Sequence, residues 1–411
     1  MLKVKQAESI ILELVKPLDD QTDVETVELL AASDRILAAP VTSKLDFPHW
    51  DNSAMDGYAV RFADVKDASG EKPIILEIVE EIAAGDRPQR AVDAGQAARI
   101  FTGACMPEGA DTVVMQEETR RSGDRAFILS APKPQEFVRH QGAFYRAGEP
   151  LLTPGLKLGP AEIAVLAGAQ CTEVPVYRRP RVVIFSTGDE LVEPHRPLAF
   201  GQLVDSNQYA LAAAVESVGA EAIRLGIVPD KPELLRATVE KAIATGDFVL
   251  STGGVSVGDY DYVEDILQKL GGDLKIRSVA VKPGKPLTVA SFANSRCVYF
   301  GLPGNPVSAL VSFWRFVRPA LLKLAGVGGG GWMPEFVEGR SLQELRSLGK
   351  RETYLWGKLH PGAAGYEFEL AGGSHSSGNL INLAGATGLA IVPEGQTSVA
   401  EGELVRVLKI N

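Results

Sequence analysis

LSTGGVSVGDYDY, residues 250 to 262, is where a buried strand ends and a ligand-facing turn begins. Phe248-Val249-Leu250 is a short apolar run, and it passes directly into glycines, small hydroxyl residues and two aspartates. Gly253, Gly254 and Gly258 carry no side chain, so the main chain at these points can take left-handed angles and bring N–H groups close to an anion. Val255 and Ser256 complete the turn, and Asp259 and Asp261 follow it, placed to hold a cation or to turn away a second anion.

Around this stretch, apolar β-branched runs alternate with amphipathic helical patterns. Pro180 to Phe185 (PRVVIF) has the continuous burial of a strand covered on both faces. Helices are predicted over 208–218, 232–244, 263–270 and 306–324, and strands over 221–227, 248–250, 274–281, 287–292 and 298–302. The class is therefore α/β with a parallel sheet. In such folds ligands sit outside the carboxyl ends of the strands. Four stretches fall there: Ser186-Thr187-Gly188-Asp189-Glu190, Asp205-Ser206-Asn207, the glycine turn, and GLPGNPVS at 301–308 with Pro303, Gly304 and Asn305. Asp205 and Ser206 suit a helix N-cap as well as a ligand contact. Pro306 suits a first helical turn.

KPGKP at 282–286 holds the ammonium groups of Lys282 and Lys285 on one stiff turn, suited to a phosphate, a diphosphate or an oxyanion such as molybdate or sulfate. It is not a Walker A loop, because Val279 stands where the first glycine belongs and Pro286 where Ser or Thr belongs. GGVSVG has the wrong spacing for a dinucleotide fingerprint. Carboxylates opposite a phosphate site imply a bridging Mg²⁺, and Asp189, Glu190, Asp230, Asp259 and Asp261 are the candidates. No G-x-S-x-G elbow is present, and His49, His140, His195, His360 and His375 stand isolated, read as structural or surface residues.

Beyond the α/β unit, helical spacing is expected over 7–15 and 26–37, both helices needing partners elsewhere. Residues 45–145 have β-rich texture, with a hairpin expected over 96–116. AGVGGGG at 325–331 reads as a flexible hinge, and short alternating runs after it predict a closing β domain. At 411 residues the chain calls for roughly two to four domains. A net charge of -10 with scattered Lys and Arg argues against nucleic acid. Three distant cysteines suggest neither disulfides nor zinc, and no stretch approaches the roughly 18 apolar residues of a membrane span. The glutamate-bearing start lacks a secretory pattern, so a reducing cytoplasm is expected.

DNSAMDGYAV (51–60), FTGACMPEGADTVVMQEE (101–118), FSTGDEL (185–191), VDSN (204–207), STGGVSVGDYDY, VKPGKP and FGLPGNPVSA, in this order, resemble the molybdopterin molybdenumtransferase family, the MoeA type that includes the E domain of gephyrin. The resemblance implies a discontinuous linking domain (1–44 and 146–179) and a β-rich insertion (45–145). It implies a MogA/MoaB-like molybdopterin-binding α/β domain (180–326) and a C-terminal β-barrel-like domain (332–411). It also implies a cytoplasmic homodimer in which Asp56 and Thr102 face Glu190 and Asp261 of a second subunit across the interface.

The implied reaction converts adenylated molybdopterin and molybdate, with Mg²⁺, into molybdenum cofactor and AMP. On this reading Asp56, Thr102, Glu190 and Asp261 carry catalysis, and Arg351 matches a recurrent basic position. The alternatives are a molybdopterin-binding scaffold without turnover and a molybdopterin adenylyltransferase; a separate adenylyltransferase is also a candidate partner. Two departures stand out. Ala143 and Phe144 replace an acidic pair common in the family, and Thr353 and Trp356 replace the acidic and basic residues that often follow Arg351.

Overall fold

The computed structural model describes residues 1–254, 262–363 and 365–410. Val255, Ser256, Gly258, Asp259 and Asp261 therefore lie outside the described residues. The central sheet runs in the order Glu221–Val228, Arg181–Thr187, Phe248–Thr252, Ser295–Leu302, Pro286–Phe292, Gly272–Ser278. Its first four strands are parallel, as the apolar runs predict. Pro286–Phe292 runs antiparallel to both its neighbours, a departure from the parallel sheet expected. The reason is local: Ala293-Asn294 is too short a connection for a crossover, which needs a dozen residues or more.

Alternation along these strands fills two cores. Val182, Ile184, Leu250 and Phe300 face one side, where they share a cluster with Val4, Ala7 and Ile11 of the opening helix Val4–Leu14. Val183, Phe185, Val249 and Tyr299 face the other, covered by Leu235 and Val239 of helix Pro232–Thr245 and by Ile266 and Leu267 of helix Val263–Lys269. The opening helix thus finds its partner within its own chain.

Three expectations are corrected. The helix over 26–37 is instead the strand Val24–Glu28, paired antiparallel with Glu173–Tyr177, followed by a single 3-10 turn at Leu29–Ala32. Val24, Thr26 and Val27 are β-branched and find distant partners such as Val174, so tertiary pairing overrides the helical spacing. Strands Gln96–Ile100 and Thr112–Met115 do not form a hairpin, because Gly57–Val60 lies between them and pairs with both. Gly57 is required in that position: a Cβ there would stand 1.9 Å from the Val114 carbonyl oxygen. The glycine run at 325–331 is pinned, with Gly328 N–H donating to Gly155 O at 2.9 Å.

The insertion's six-stranded sheet is joined to the rest of the chain by a narrow neck, Val41–Thr42 paired with Pro150–Leu152. At the other end, Glu352–Gly362, Gly365–Leu370, Phe336–Ser341, Leu404–Lys409 and Gly388–Val392 close into a five-stranded barrel. Val281–Lys282 joins this barrel in parallel beside Glu352 and Thr353. The long helix expected over 306–324 contains a π turn, Phe313–Val317, between Pro306–Ser312 and Arg318–Leu324. That turn carries Arg315, which donates to both Glu8 carboxylate oxygens (2.6 and 3.0 Å) and to Tyr354 Oη (2.9 Å). One guanidinium so joins the opening helix, the α/β unit and the barrel. No helix among the described residues is long and apolar enough to cross a membrane.

Candidate functional site

The parallel strands end at a cavity of about 460 Å³. Thr187, Gly188 and Glu190 line it from the first strand's exit, Gly253 and Gly254 from the next, and Pro303 to Asn305 from the third. Asn207, opening helix Asn207–Ser217, and Asp230 complete the wall. The floor is fixed from behind. Ser186 is fully buried, and its hydroxyl bonds that of Thr252 across the strands at 2.8 Å; Tyr299 Oη donates to Ser251 Oγ at 2.6 Å. Ser186 supports the crevice rather than lining it. Gly253 sits at φ +86°, and a Cβ there would lie 2.3 Å from the Thr187 carbonyl oxygen, so neither the angle nor the space admits a side chain.

The acidic residues divide by position. Thr187 Oγ1 donates to Asp230 Oδ1, and Asp230 N–H donates to Asp189 Oδ1 at 3.2 Å, so Asp189 holds the loop that carries Asp230. Glu190 and Asp230 line the crevice; Asp189 is exposed outside it. Mg²⁺ commonly takes one or two carboxylates together with waters and substrate phosphates. The pair Glu190 and Asp230 fits that donor set, and no cluster of three His, Cys, Asp or Glu groups is found among the described residues.

Asp205 is spent on capping. Its carboxylate accepts from Asn207 N (3.1 Å), Gln208 N (3.3 Å) and Gln208 Nε2 (2.5 Å) and is buried. Ser206 makes no side-chain cap bond. Asn207 donates through Nδ2 to Gly304 O at 2.8 Å, while its buried Oδ1 has no partner among the described residues. Asn305 precedes helix Pro306–Ser312 without a side-chain cap bond, which leaves its amide to the crevice it lines.

Lys282 and Lys285 belong to a second cavity, of about 480 Å³, between the α/β unit and the barrel. Arg351 lines it too and donates to Val281 O at 3.1 Å. Pro286 and Ser308 line both cavities, so the two are neighbours through a shared wall. Sequence reasoning missed Arg346, Trp356, His375, Ser376 and Ser377 in this lining. They come from strands and loops of the C-terminal region, brought here by the pairing of Val281–Lys282 with Glu352–Thr353 and by Val307 N–H donating to Ser377 O at 3.1 Å. Thr353 lines the cavity too, buried and hydrogen-bonded to Ser347 Oγ at 2.8 Å.

Asp56 and Thr102 meet in the insertion unit. Thr102 donates both its hydroxyl and its N–H to Asp56 Oδ1, each at 2.7 Å. These bonds, with the charge of Arg99 as a smaller cause, hold the Asp56 carboxyl below its ordinary value. Neither residue lines the crevice of its own chain. At the site of the family's acidic pair, Phe144 is 65% exposed and packs against Phe47 at 5.7 Å.

A basic cavity lies beside a carboxylate-flanked crevice, both carried on an α/β sheet with an appended barrel: the class is a multidomain α/β protein with its ligand crevice at the carboxyl ends of parallel strands. Family models agree with this architecture: "MoeA N-terminal region (domain I and II)" matches residues 2–169, "probable molybdopterin binding domain" 183–323 and "MoeA C-terminal region (domain IV)" 338–410. A molybdopterin molybdenumtransferase of Nostoc sp. is 59% identical over 411 residues, covering 100% of this chain and 94% of the relative. One from Haemophilus influenzae is 38% identical over 327 residues, 79% of this chain and 78% of the relative. The crystal structure of the molybdopterin biosynthesis MoeA protein from Pyrococcus horikoshii superposes with a TM-score of 0.85 at 28% identity, covering 100% of both chains. The chain belongs to the MoeA family of molybdopterin molybdenumtransferases.

Proposed function

We propose that this protein is a molybdopterin molybdenumtransferase, which inserts molybdate into adenylated molybdopterin in molybdenum cofactor biosynthesis and releases AMP. The observation that carries this reading is the contiguity of the two cavities through Pro286 and Ser308. An oxyanion held by Lys282, Lys285 and Arg351 stands next to a crevice suited to a pterin and its diphosphate. The amides of Gly253, Gly254 and Gly304 and the side chains of Asn207 and Asn305 bind and orient that substrate. Backbone N–H groups in such a turn suit phosphate oxygens.

Glu190 and Asp230 would hold Mg²⁺, with Asp259 and Asp261 as further sequence candidates. When bound, the metal would neutralise diphosphate charge and stabilise the leaving AMP. Thr187 fixes the Asp230 carboxylate by its hydroxyl, and Asp189 holds the Asp230 loop by its backbone. No protein nucleophile is required. The reading extends to a cytoplasmic homodimer of four-domain subunits, in which Asp56 and Thr102 complete the crevice of a second copy. It also includes delivery of substrate by a molybdopterin adenylyltransferase.

The test is AMP release from adenylated molybdopterin with molybdate and Mg²⁺. Turnover that is abolished in Asp56→Asn with folding intact supports the shared site. Mixing Asp56→Asn with Glu190→Gln protein should then restore part of the activity through hybrid dimers. Tight pterin binding without any AMP release by the wild-type protein would leave a scaffold instead.

A further inference from the structure

The basic cavity is lined by two side chains that each keep one buried polar atom without a partner among the described residues. Trp356 is 1% exposed, and its indole Nε1–H has no acceptor among the described residues. His375 packs on it with ring centroids 4.5 Å apart, and His375 Nδ1 is likewise buried and without a partner. Both residues line the cavity that holds Lys282, Lys285 and Arg351. A buried polar atom left unsatisfied carries its full desolvation cost, so such atoms persist where a ligand supplies what the fold does not.

The other imidazole nitrogen decides the chemistry. His375 Nε2 lies 2.8 Å from Ala371 O, a carbonyl that only accepts, so Nε2 carries a hydrogen. In the neutral ring Nδ1 is then a bare acceptor. His375 lines the oxyanion cavity, where a lone pair on Nδ1 would repel an oxyanion oxygen, whereas the protonated ring offers a donor. The loop that carries the ring is fixed at both ends of this contact, since Val307 N–H donates to Ser377 O at 3.1 Å and Asn379 Nδ2 to Ser374 O at 3.2 Å.

We infer that Trp356 and His375 are specificity-determining contacts for a tetrahedral oxyanion dianion, and that His375 takes up one proton at Nδ1 as the oxyanion enters. The inference rests on the assignment of this cavity to the oxyanion. The indole supplies a neutral donor, and the ring a donor that exists only when protonated. The proton comes from solvent, and no bond in the oxyanion is broken. Trp356 stands where the family often has a basic residue, so this chain replaces a permanent charge with a conditional one.

The described lining carries four further cationic side chains. Lys282 and Lys285 come from the 282–286 turn, Arg346 from the short strand Leu345–Arg346, and Arg351 from the loop before the barrel strand. Lysine and arginine as residue types stay charged between about pH 6 and 8.5, where histidine changes charge. Arg346 is paired with Glu344 at 2.7 Å, and Glu352 accepts from the Tyr354 hydroxyl at 2.5 Å. Burial first, then the Glu352 carboxylate, pushes the Tyr354 phenol well up, and its hydroxyl stays neutral.

Titration calorimetry of the full chain with molybdate, in buffers of different ionisation heat at pH 6 to 8.5, tests this. The wild type should take up close to one proton per oxyanion at the alkaline end, and affinity should fall about tenfold per pH unit there. His375→Gln should take up none and bind with flat pH dependence. Trp356→Phe should weaken binding several-fold at every pH and keep the slope. Wild-type binding without proton uptake, or an unchanged slope in His375→Gln, overturns the inference. Arg351→Ala separates the two levels: if molybdate binds it as well as wild type, the cavity assignment itself fails. If Arg351→Ala loses binding while His375→Gln matches wild type, only the role of His375 fails.

Discussion

Glu8→Gln should destabilise the protein more than Arg315→Met, although the first is the gentler change in shape. Arg315 is 4% exposed and Glu8 23%. Burial alone would lower the Arg315 pKa, but Tyr354 and the Glu8 carboxylate outweigh it and hold the charge in place. Glutamine turns an amide N–H₂ toward the guanidinium and leaves a buried charge without its counter-ion. Breaking a buried pair in this way costs about 3–5 kcal/mol, and the partial exposure of Glu8 puts this case near 3. Methionine instead removes the buried charge and keeps an apolar stem. Glu8 is then free to turn to water, and the loss is near one hydrogen bond to Tyr354, about 1 kcal/mol.

For a cooperative unit of this size each kcal/mol moves Tm by about 2–4 °C, so the expected drops are about 6–12 °C for Glu8→Gln and about 2–4 °C for Arg315→Met. Scanning calorimetry reads both. The insertion provides an internal reference, because its two clusters draw on no residue outside 58–138. Equal drops for the two variants, or a larger one for Arg315→Met, would refute the argument that an unpaired buried cation dominates.

Other outcomes follow from the site. Gly253→Ala forces a side chain into a positive-φ position against the Thr187 carbonyl, and should lower pterin affinity at least tenfold, measured by fluorescence titration, while the Tm falls by only a few degrees. Asn207→Asp loses the donor to Gly304 O and adds a negative charge beside the anionic ligand; pterin binding should weaken more than in Asn207→Ala, and the reverse order would exclude a phosphate-bearing neighbour. Burial would raise the Asp23 carboxyl, but the Asp19 N–H and the guanidiniums of Arg178 and Arg296 together bring it below its ordinary value. Its folded value is depressed, so its stabilisation is present above the unfolded pKa of about 3.9 and is lost as pH falls through the lower folded one. Asp23→Asn should therefore lower Tm at pH 6 and flatten the decline of Tm below about pH 4.

The parts of the fold that were legible in the sequence are those whose signal is local. Arg181–Thr187 announces itself by an unbroken apolar run, and helix Pro232–Thr245 by its spacing and its N-terminal proline. Val24–Glu28 was not legible, because what makes it a strand is Glu173–Tyr177, nearly 150 residues later. The same holds for Gly57–Val60, which slips between two strands that read as a hairpin. In the site, glycine turns and lysines stand out by composition, whereas Trp356 reads only as a replaced basic position and His375 as a structural or surface residue. Their meaning depends on a partnerless nitrogen, which no sequence pattern records.

The paired strands at 41–42 and 150–152 have a mechanical consequence. Ser43 and Glu149 continue the hydrogen bonding beyond them, and Phe47 bridges Tyr145, so entry and exit travel as one ribbon two strands wide. Such a ribbon resists shear and splaying, since either breaks several hydrogen bonds together, yet it flexes across its thin dimension at little cost. The insertion is thus mounted like a paddle on a leaf spring, with Asp56 and Thr102 at a fixed spacing on the blade. Bending across the thin dimension is the deformation that breaks the fewest of these bonds, and lengthening the ribbon by whole residue pairs would change how far the blade reaches without altering what it carries.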